Sequence, residues 1–575
     1  MNEERITYFA ETDARNKKVK FGIKAKDRTR HVYVIGKTGM GKSTLLENMA
    51  VQDIKNGEGI AFIDPHGKTA DLLLEYIPPE RIKDVIYFAP FDTDYPISFN
   101  VLESVDPDKR HLVVSGLMST FKKIWQDAWS ARMEYILTNT LLALLEYPDA
   151  TLLGVNRMLS DKKFREKVVA NVSDPAVKSF WVEEFAHYTE RMAAEAVPAI
   201  QNKIGQFTAN ALIRNMIGQA KSSFNIREVM DQKKIMIINL SKGRIGETNA
   251  NLLGGMLITK IFLAALSRAD VPDRVLKGLP NFYLFVDEFQ SFANESFADI
   301  LSESRKYKLN LTMAHQYIEQ MEEEVRAAVF GNVGTMIVFR VGAYDAEILE
   351  KEFAPQFTAE DIVNLGFAQI YLKLMIDGIG SAPFSATTLG PIPQPEKSNM
   401  QEAMTMSRAQ FAHTRAEVEK AIAEWHEPVA PPPPPPRPKP QVASQPMTQP
   451  VHVAPAPVLM PKPLPKPSAP VVTPIPVPTH KPFAAPLSVP LSNLVQKPQT
   501  KVNSKDASPE RVNELRNALA SVLGSMPKKP AEKPAPAPAP HSQPVPPQAP
   551  PAPKPPQDST QEVSEDVLKS VLKVK

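Results

Sequence analysis

The chain has 575 residues, no cysteine and a formal net charge of +3; the lack of cysteine excludes disulfides and thiolate metal centres. Only 13 of its 56 prolines precede residue 391, so composition separates a globular body from a proline-rich remainder expected to be disordered. The body carries 46 Lys and Arg against 50 Asp and Glu, and the remainder 21 against 14, which excludes a polycationic body and confines any nucleic-acid contact to local basic surface.

The N-terminal stretch MNEERITYFAETDARNKK is polar and carries no signal-peptide pattern. Strands are predicted at Val19–Ile23, which alternates, and at His31–Ile35, which runs into glycine. Further short apolar runs follow at Gly59–Ile63, Val85–Phe88, Ile235–Leu240, Phe282–Val286, Leu309–Met313, Met336–Phe339 and Ile370–Leu374. Helical patterns separate many of them, which predicts an α/β fold with a parallel-rich central sheet covered on both faces. Residues from about 105 to 225 break the rhythm: helical stretches such as Ser130–Leu145 and Arg191–Thr208 follow one another with no strand pattern. They are expected to form an all-α insertion, too long for one crossover. The most apolar segment, Leu252–Leu266, contains Lys260 and reads as a buried helix; no uninterrupted apolar run reaches membrane-spanning length.

The basic segment Arg15–Arg30 interleaves Phe21 and Ile23 with Lys17, Lys18, Lys20, Lys24, Lys26, Arg28 and Arg30. Two readings compete: a strand touching phosphates non-specifically, and a solvated edge strand guarded by lysines. In the remainder, the six-proline run Pro431–Pro436 and the Pro-Ala repeat Lys533–Pro540 are expected to be extended coil. Helical islands are predicted at Gln401–Trp425, Ser508–Gly524 and Ser564–Val574, as docking peptides or as marginal helices.

The segment Gly36-Lys37-Thr38-Gly39-Met40-Gly41-Lys42-Ser43, followed by Thr44, fits G-x-x-x-x-G-K-[ST]. It lies between a predicted strand and a predicted helix, the context this phosphate-binding loop requires. Its glycines let backbone N–H groups curl around phosphate oxygens, aided by the helix dipole. Lys42 is then the counter-charge to the β- and γ-phosphates of ATP, and the Ser43 hydroxyl a ligand of Mg²⁺. The apolar run Phe282–Val286 ends in Asp287 and Glu288; Asp287 is expected to hold the Mg²⁺ through its water shell and Glu288 to polarise the attacking water. Gln316 ends the strand at Leu309 and can hold that water or report the γ-phosphate. Arg305, between the two strands, and Arg340, at the end of the next, are rival candidates for an arginine finger reaching a neighbouring subunit. Asp64 and His66, in Phe62-Ile63-Asp64-Pro65-His66-Gly67, are expected near the nucleotide or an interface, His66 without a catalytic role. Lys242 and Arg244 follow a strand at the same edge, and are expected at an interface or a channel.

Taken together, GKTGMGKST, FIDPHG, ERMAAEAVPAIQNKIGQF, IMIINLSKGRIGE, YLFVDEFQSF and LTMAHQ, in that order, resemble the conjugative coupling ATPases of type IV secretion, the TraG/TraD type of the HerA–FtsK motors. The likeness covers roughly residues 19–395. It implies a RecA-like motor with an all-α insertion, a homo-hexamer around a DNA channel, sequence-independent DNA binding, and secretion-channel or relaxase-type protein partners. It implies the roles above for Lys42, Ser43, Asp287, Glu288 and Gln316, and it favours Arg305 over Arg340 as the trans finger. Family members usually begin with transmembrane helices, and no such run is seen here. A cytoplasmic location is therefore expected, with recruitment to the inner face of the cell membrane by partners left open. The expected organisation is a motor domain over 1–104 and 226–395, the insertion over 105–225 and a tail over 396–575 whose partner the sequence does not name. The expected function is an ATP-driven DNA translocase. Two alternatives are a motor feeding protein substrates to a secretion system and a nucleotide-switched scaffold acting through its tail.

Overall fold

The computed structural model describes residues 3–13, 17–103 and 105–426. The expected disordered coil beyond them and the predicted helices at Ser508–Gly524 and Ser564–Val574 lie outside the described residues.

Among the described residues there are thirteen strands: β1 (Ile6–Glu11), β2 (Lys20–Lys24), β3 (Val32–Ile35), β4 (Gly59–Asp64), β5 (Val85–Phe88), β6 (Ile235–Asn239), β7 (Phe282–Val286), β8 (Leu309–His315), β9 (Thr335–Val338), β10 (Gln369–Lys373), β11 (Met375–Ile376), β12 (Ile379–Gly380) and β13 (Phe384–Thr388). Eleven form one sheet in the order β2-β1-β13-β10-β9-β3-β8-β7-β4-β6-β5, and β11 and β12 form a small hairpin. The seven strands from β9 to β5 are mutually parallel, while β10, β13, β1 and β2 extend the sheet antiparallel. Every residue of β3, β4, β6, β7, β8 and β9 is buried. Strands covered on both faces read as continuous apolar runs, which is why they stand out in the sequence.

Side chains alternate between two apolar layers. Ile60 and Phe62 of β4 pack with Leu45, Leu46 and Met49 of the helix Lys42–Lys55, while Ala61 and Ile63 join the opposite layer with the helix Glu247–Leu266. That helix is apolar on nearly all sides and largely buried, as such a helix must be. Among the described residues the helical region around it, Glu247–Asp270, is the one long and apolar enough to cross a membrane, and 61% of its 18-residue apolar window is buried. Small residues bring it against the helix Arg110–Ile124. A Cβ on Gly116 would stand 2.4 Å from Thr259, and one on Gly255 2.7 Å from Thr120.

No described residue between β5 and β6 is in a strand; helices fill that interval, including Ala131–Leu145, Leu153–Ser160 and Glu190–Ala209. The first is capped by Ser130, whose side chain accepts from Met133 N. Leu137, Leu141, Ile200 and Ile204 belong to the same continuous core as Leu284 and Val286 of β7, so the helical insertion and the sheet share one apolar interior.

The basic N-terminal segment is mostly paired off. β2 is an edge strand. Lys18 pairs with Glu11, Lys24 and Lys26 with Glu4 and Asp377, and Arg28 is buried against Asp53 and over the Tyr283 ring. This is the guarded-edge arrangement.

The expected body boundary near residue 395 requires correction. The helices Met400–Phe411 and Arg415–His426 pack on the body. The first lies on β5, the other edge of the sheet, where Tyr87 N donates to Ser407 Oγ (2.9 Å) and Arg408 pairs with Asp92 (2.7 Å). The second buries Val418 and Ile422 against Leu153 of the insertion, and Arg157 donates to Trp425 O (2.6 Å). The physical reason is that an edge strand offers unpaired N–H groups, and here a helix covers them.

Candidate nucleotide site

The carboxyl ends of β3, β8, β7 and β4 converge on one edge of the sheet, as parallel register requires. From β3 the chain turns through Gly36–Ser43 into the helix Lys42–Lys55, with Gly39 (φ +79°) and Gly41 (φ +116°) in the left-handed region. A Cβ on Gly36 would stand 2.5 Å from Phe339 Cβ, so the loop fits against β9 only with glycine there. Lys37 N donates to Arg340 O (2.8 Å). The Lys42 ammonium is buried, donating to Gly36 O (2.6 Å) and Lys37 O (3.2 Å). Burial depresses its pKa, and the nearby Glu288 and Asp287 oppose that. A loop closed by its own lysine on backbone carbonyls is a phosphate cradle with its counter-charge in waiting.

Asp287 follows β7. Its carboxylate accepts from Ser43 Oγ (3.3 Å) and from Glu288 N (3.0 Å). Burial, then Asp64 and Glu288, push its pKa up to about 6. Asp64, at the end of β4, is itself buried and accepts from His66 N (2.8 Å) and Ala70 N (2.9 Å). Glu288 sits in the left-handed region (φ +48°), a strained conformation for glutamate. His66 Nε2 lies 3.9 Å from Glu288 Oε1, and Gln290 Nε2 donates to Glu288 Oε2. The His66 contact is the main cause holding Glu288 below the usual carboxylate range, and the same contact raises the His66 imidazole. Gln316 Nε2 donates to Thr38 Oγ1 and to Tyr317 Oη (3.3 Å). Behind it His315 is buried, its Nδ1 2.8 Å from Tyr33 Oη, and burial drops its pKa to about 3, so the ring stays neutral.

A cavity of about 770 Å³ opens beside Thr38, His66, Glu288 and Gln316, with Lys242 on its wall. Lys242 donates to Ser291 Oγ (2.9 Å) and pairs with Glu247. Arg244 instead stacks over Phe91. No cluster of three or more carboxylate or imidazole ligands suited to a metal occurs among the described residues. Ser43 and Asp287 nonetheless fit Mg²⁺: the crowding of Asp64, Asp287 and Glu288 calls for a cation, and Mg²⁺ keeps several ligand places for water and phosphate oxygens.

The structure thus brings together Gly36, Lys37, Thr38, Gly39, Met40, Gly41, Lys42, Ser43, Thr44, Asp287, Glu288 and Gln316. It does not bring Arg305 to them. Arg305 lies in the turn Ser304–Tyr307 before β8, at the amino edge of the sheet, exposed, about 20 Å from Gln316 by strand rise. Arg340 stands at its own phosphate loop, Nη2 3.3 Å from Met40 Sδ. The Glu288 contact of His66 went unrecognised in the sequence; its position at the end of β4, one strand from β7, was the available signal.

A phosphate loop on a parallel sheet, with an acidic pair at the end of the strand two away and an amide side chain at the end of the strand between, defines a P-loop nucleoside-triphosphate-binding protein of the RecA-like kind. Residues 18–366 match the family model for the DNA-binding domain of type IV secretion-system coupling proteins, and the chain belongs to that family. Among solved structures it is similar to the bacterial conjugative coupling protein TrwBdeltaN70 in an unbound form, at 15% identity and a TM-score of 0.50, over 67% of this chain and 89% of that one. It also resembles TrwB in complex with ADP and Mg²⁺ (15%, 0.49, 67% and 89%) and VirB4 of Thermoanaerobacter pseudethanolicus (12%, 0.42, 63% and 89%). No curated protein matches the chain.

Proposed function

We propose that this coupling protein is an ATP hydrolase that moves DNA through a hexameric ring, with its motor in residues 1–104 and 226–395, covered by the packed helices at 400–426, and its helical insertion in 105–225. The observation that carries the reading is the convergence of Ser43, Asp287, Glu288 and Gln316 from separate elements on one phosphate loop. A nucleotide-switched scaffold has little use for a strained glutamate and a sensor amide at the same phosphate.

On ATP binding, Lys42 exchanges its backbone carbonyls for β- and γ-phosphate oxygens. Mg²⁺ held by Ser43 and Asp287 would neutralise charge developing on those oxygens. Asp287 must be ionised to serve; titrating at about 6, it is charged at neutral pH despite the burial that disfavours that charge, and a bound cation would relieve the cost. Glu288, kept ionised beside His66, orients the attacking water and takes its proton. Gln316 trades Thr38 for the γ-phosphate or that water. Arg305 reaches the site of the next subunit in a head-to-tail ring.

DNA is taken as a sequence-independent substrate, and the proline-rich basic remainder serves as an arm for protein partners that recruit the motor to the inner face of the membrane. The test is ATP turnover with and without DNA, together with particle imaging. Turnover stimulated by DNA in six-fold rings is expected. Turnover indifferent to DNA but raised by secretion substrates would favour the protein-feeding motor, and absence of turnover would leave the scaffold.

A further inference from the structure

The phosphate loop has two flanks. β8 lies on one side of β3 and β9 then β10 on the other. Gln316 and the acidic pair occupy the first flank. On the second, the residues leading into β10 place an aromatic ring that nothing in the hydrolytic machinery uses. Phe367 is 75% exposed, a fraction matched among the large apolar side chains of the described residues only by Ile379.

The backbone holding Phe367 is tied to the loop. Ala368 N donates to Met40 O (3.3 Å), and Ala368 O accepts from Thr388 N (2.8 Å). Gly366 N donates to Gln369 Oε1 (2.8 Å). Ala368 adopts φ +60°, a left-handed conformation that alanine takes only when its surroundings enforce it. An exposed phenylalanine beside a strained residue, hydrogen-bonded to the tip of a phosphate loop, is the arrangement of a ligand platform.

Chain direction says which part of the ligand. A nucleoside triphosphate is linear, and its terminal phosphoryl must face Glu288 and Gln316. The ester end, with sugar and base, then leaves over the other flank, past Met40 and Arg340. We propose that Phe367 stacks on the base of the bound nucleotide and sets the affinity of that end of the ligand. The face of a phenyl ring accepts a heteroaromatic base in offset stacking without requiring a hydrogen bond at the base edge. The inference rests on the nucleotide-binding reading and assigns the half of that ligand which the phosphate loop does not reach.

The test compares full-length wild type, Phe367→Ala and Phe367→Trp in titrations with ATP and with inorganic tripolyphosphate, which has the phosphates without the base. Phe367→Ala should bind ATP about fivefold more weakly, the low end of what base–aromatic stacking is worth, and tripolyphosphate unchanged. Phe367→Trp should retain ATP affinity and show a fluorescence change on adding ATP, absent with tripolyphosphate and in wild type. Equal losses for both ligands would make Phe367 a prop of the loop and overturn the proposal. It is also overturned if Phe367→Ala binds ATP like wild type, whether or not ring assembly changes. Wild type binding ATP no better than tripolyphosphate would remove the base contact while leaving the phosphate site standing; wild type binding neither would remove both.

Discussion

Gln316, at the end of β8, donates to the hydroxyl of Thr38 across the phosphate loop. The sensor amide is therefore engaged on the loop itself at the position where a terminal phosphate would compete for it. Gln316→Ala should leave nucleotide affinity within a few-fold of wild type and lower kcat by about 100- to 1,000-fold, the range for loss of one preorganised donor. Single-turnover hydrolysis beside equilibrium binding separates the two. A variant losing affinity and kcat alike would show Gln316 to be a ground-state contact.

Asp287 gives a prediction in pH. Its carboxyl titrates at about 6 in the fold against an ordinary 3.8. The folded state then holds a proton that the unfolded chain has lost, so stability of the nucleotide-free protein falls as pH rises from about 4 to about 6 and stays low above that. Asp287→Asn removes the charge and should stabilise the nucleotide-free protein by roughly 3 kcal/mol at pH 7.5, with most of the gain gone at pH 4.5. Thermal unfolding at the two pH values reads it. The same variant should lose Mg²⁺-dependent nucleotide binding. A destabilised Asp287→Asn at pH 7.5 would contradict the buried-charge account.

The helices at 400–426 give a prediction in length. Ending the chain after 395 uncovers β5, removes the Ser407 acceptor from Tyr87 N and exposes Leu153 of the insertion. That truncation should lower Tm markedly and favour aggregation through the freed edge, whereas ending after 426 should leave Tm unchanged. Trp425→Ala, which loses the edge contact with Phe164, should cost about 2 kcal/mol. Equal Tm for both truncations would show that these helices only rest on the surface.

What the sequence conveyed and what it hid follow from range. Nine strands were legible because burial on both faces writes itself locally as a short apolar run, or burial on one face as simple alternation. β1, ITYFAE, and β13, FSATT, were not. Their polar residues give no run, and each is a strand only because it pairs with partners far along the chain. The helices of 400–426 were legible as helices but not as part of the body. Their apolar residues are sparse, and Ser407 meets Tyr87 across 320 residues. At the site, the phosphate loop and the acidic pair are contiguous in sequence and were readable. The contact between His66 and Glu288 depends on β4 and β7 being neighbours, which no local pattern states.

Arg305 provides the test of assembly. Its turn lies at the amino edge of the sheet, opposite its own phosphate loop, and among the described residues it makes no ion pair. The elements on either side of the turn are tied together by buried His31, just before β3, whose Nε2 meets Leu301 O (3.2 Å) while Nδ1 accepts from Leu311 N (3.1 Å). This exposed guanidinium is remote from its own nucleotide site, and the proposed head-to-tail ring would offer it a neighbour's instead. Arg340, by contrast, touches Met40 of its own loop, which suits it to act within the subunit. Arg305→Ala should therefore fold, bind ATP and hydrolyse it about 1,000-fold more slowly, as loss of a trans finger does. Glu288→Gln should fail for a different reason, lacking the base by about 100- to 10,000-fold while binding normally. Mixed in one ring, the two variants create interfaces where an intact Glu288 meets an intact Arg305. Activity should rise well above that of either variant alone, to a fraction of wild type set by the mixing ratio. If rings shown to contain both variants stay inactive, Arg305 does not act across the interface.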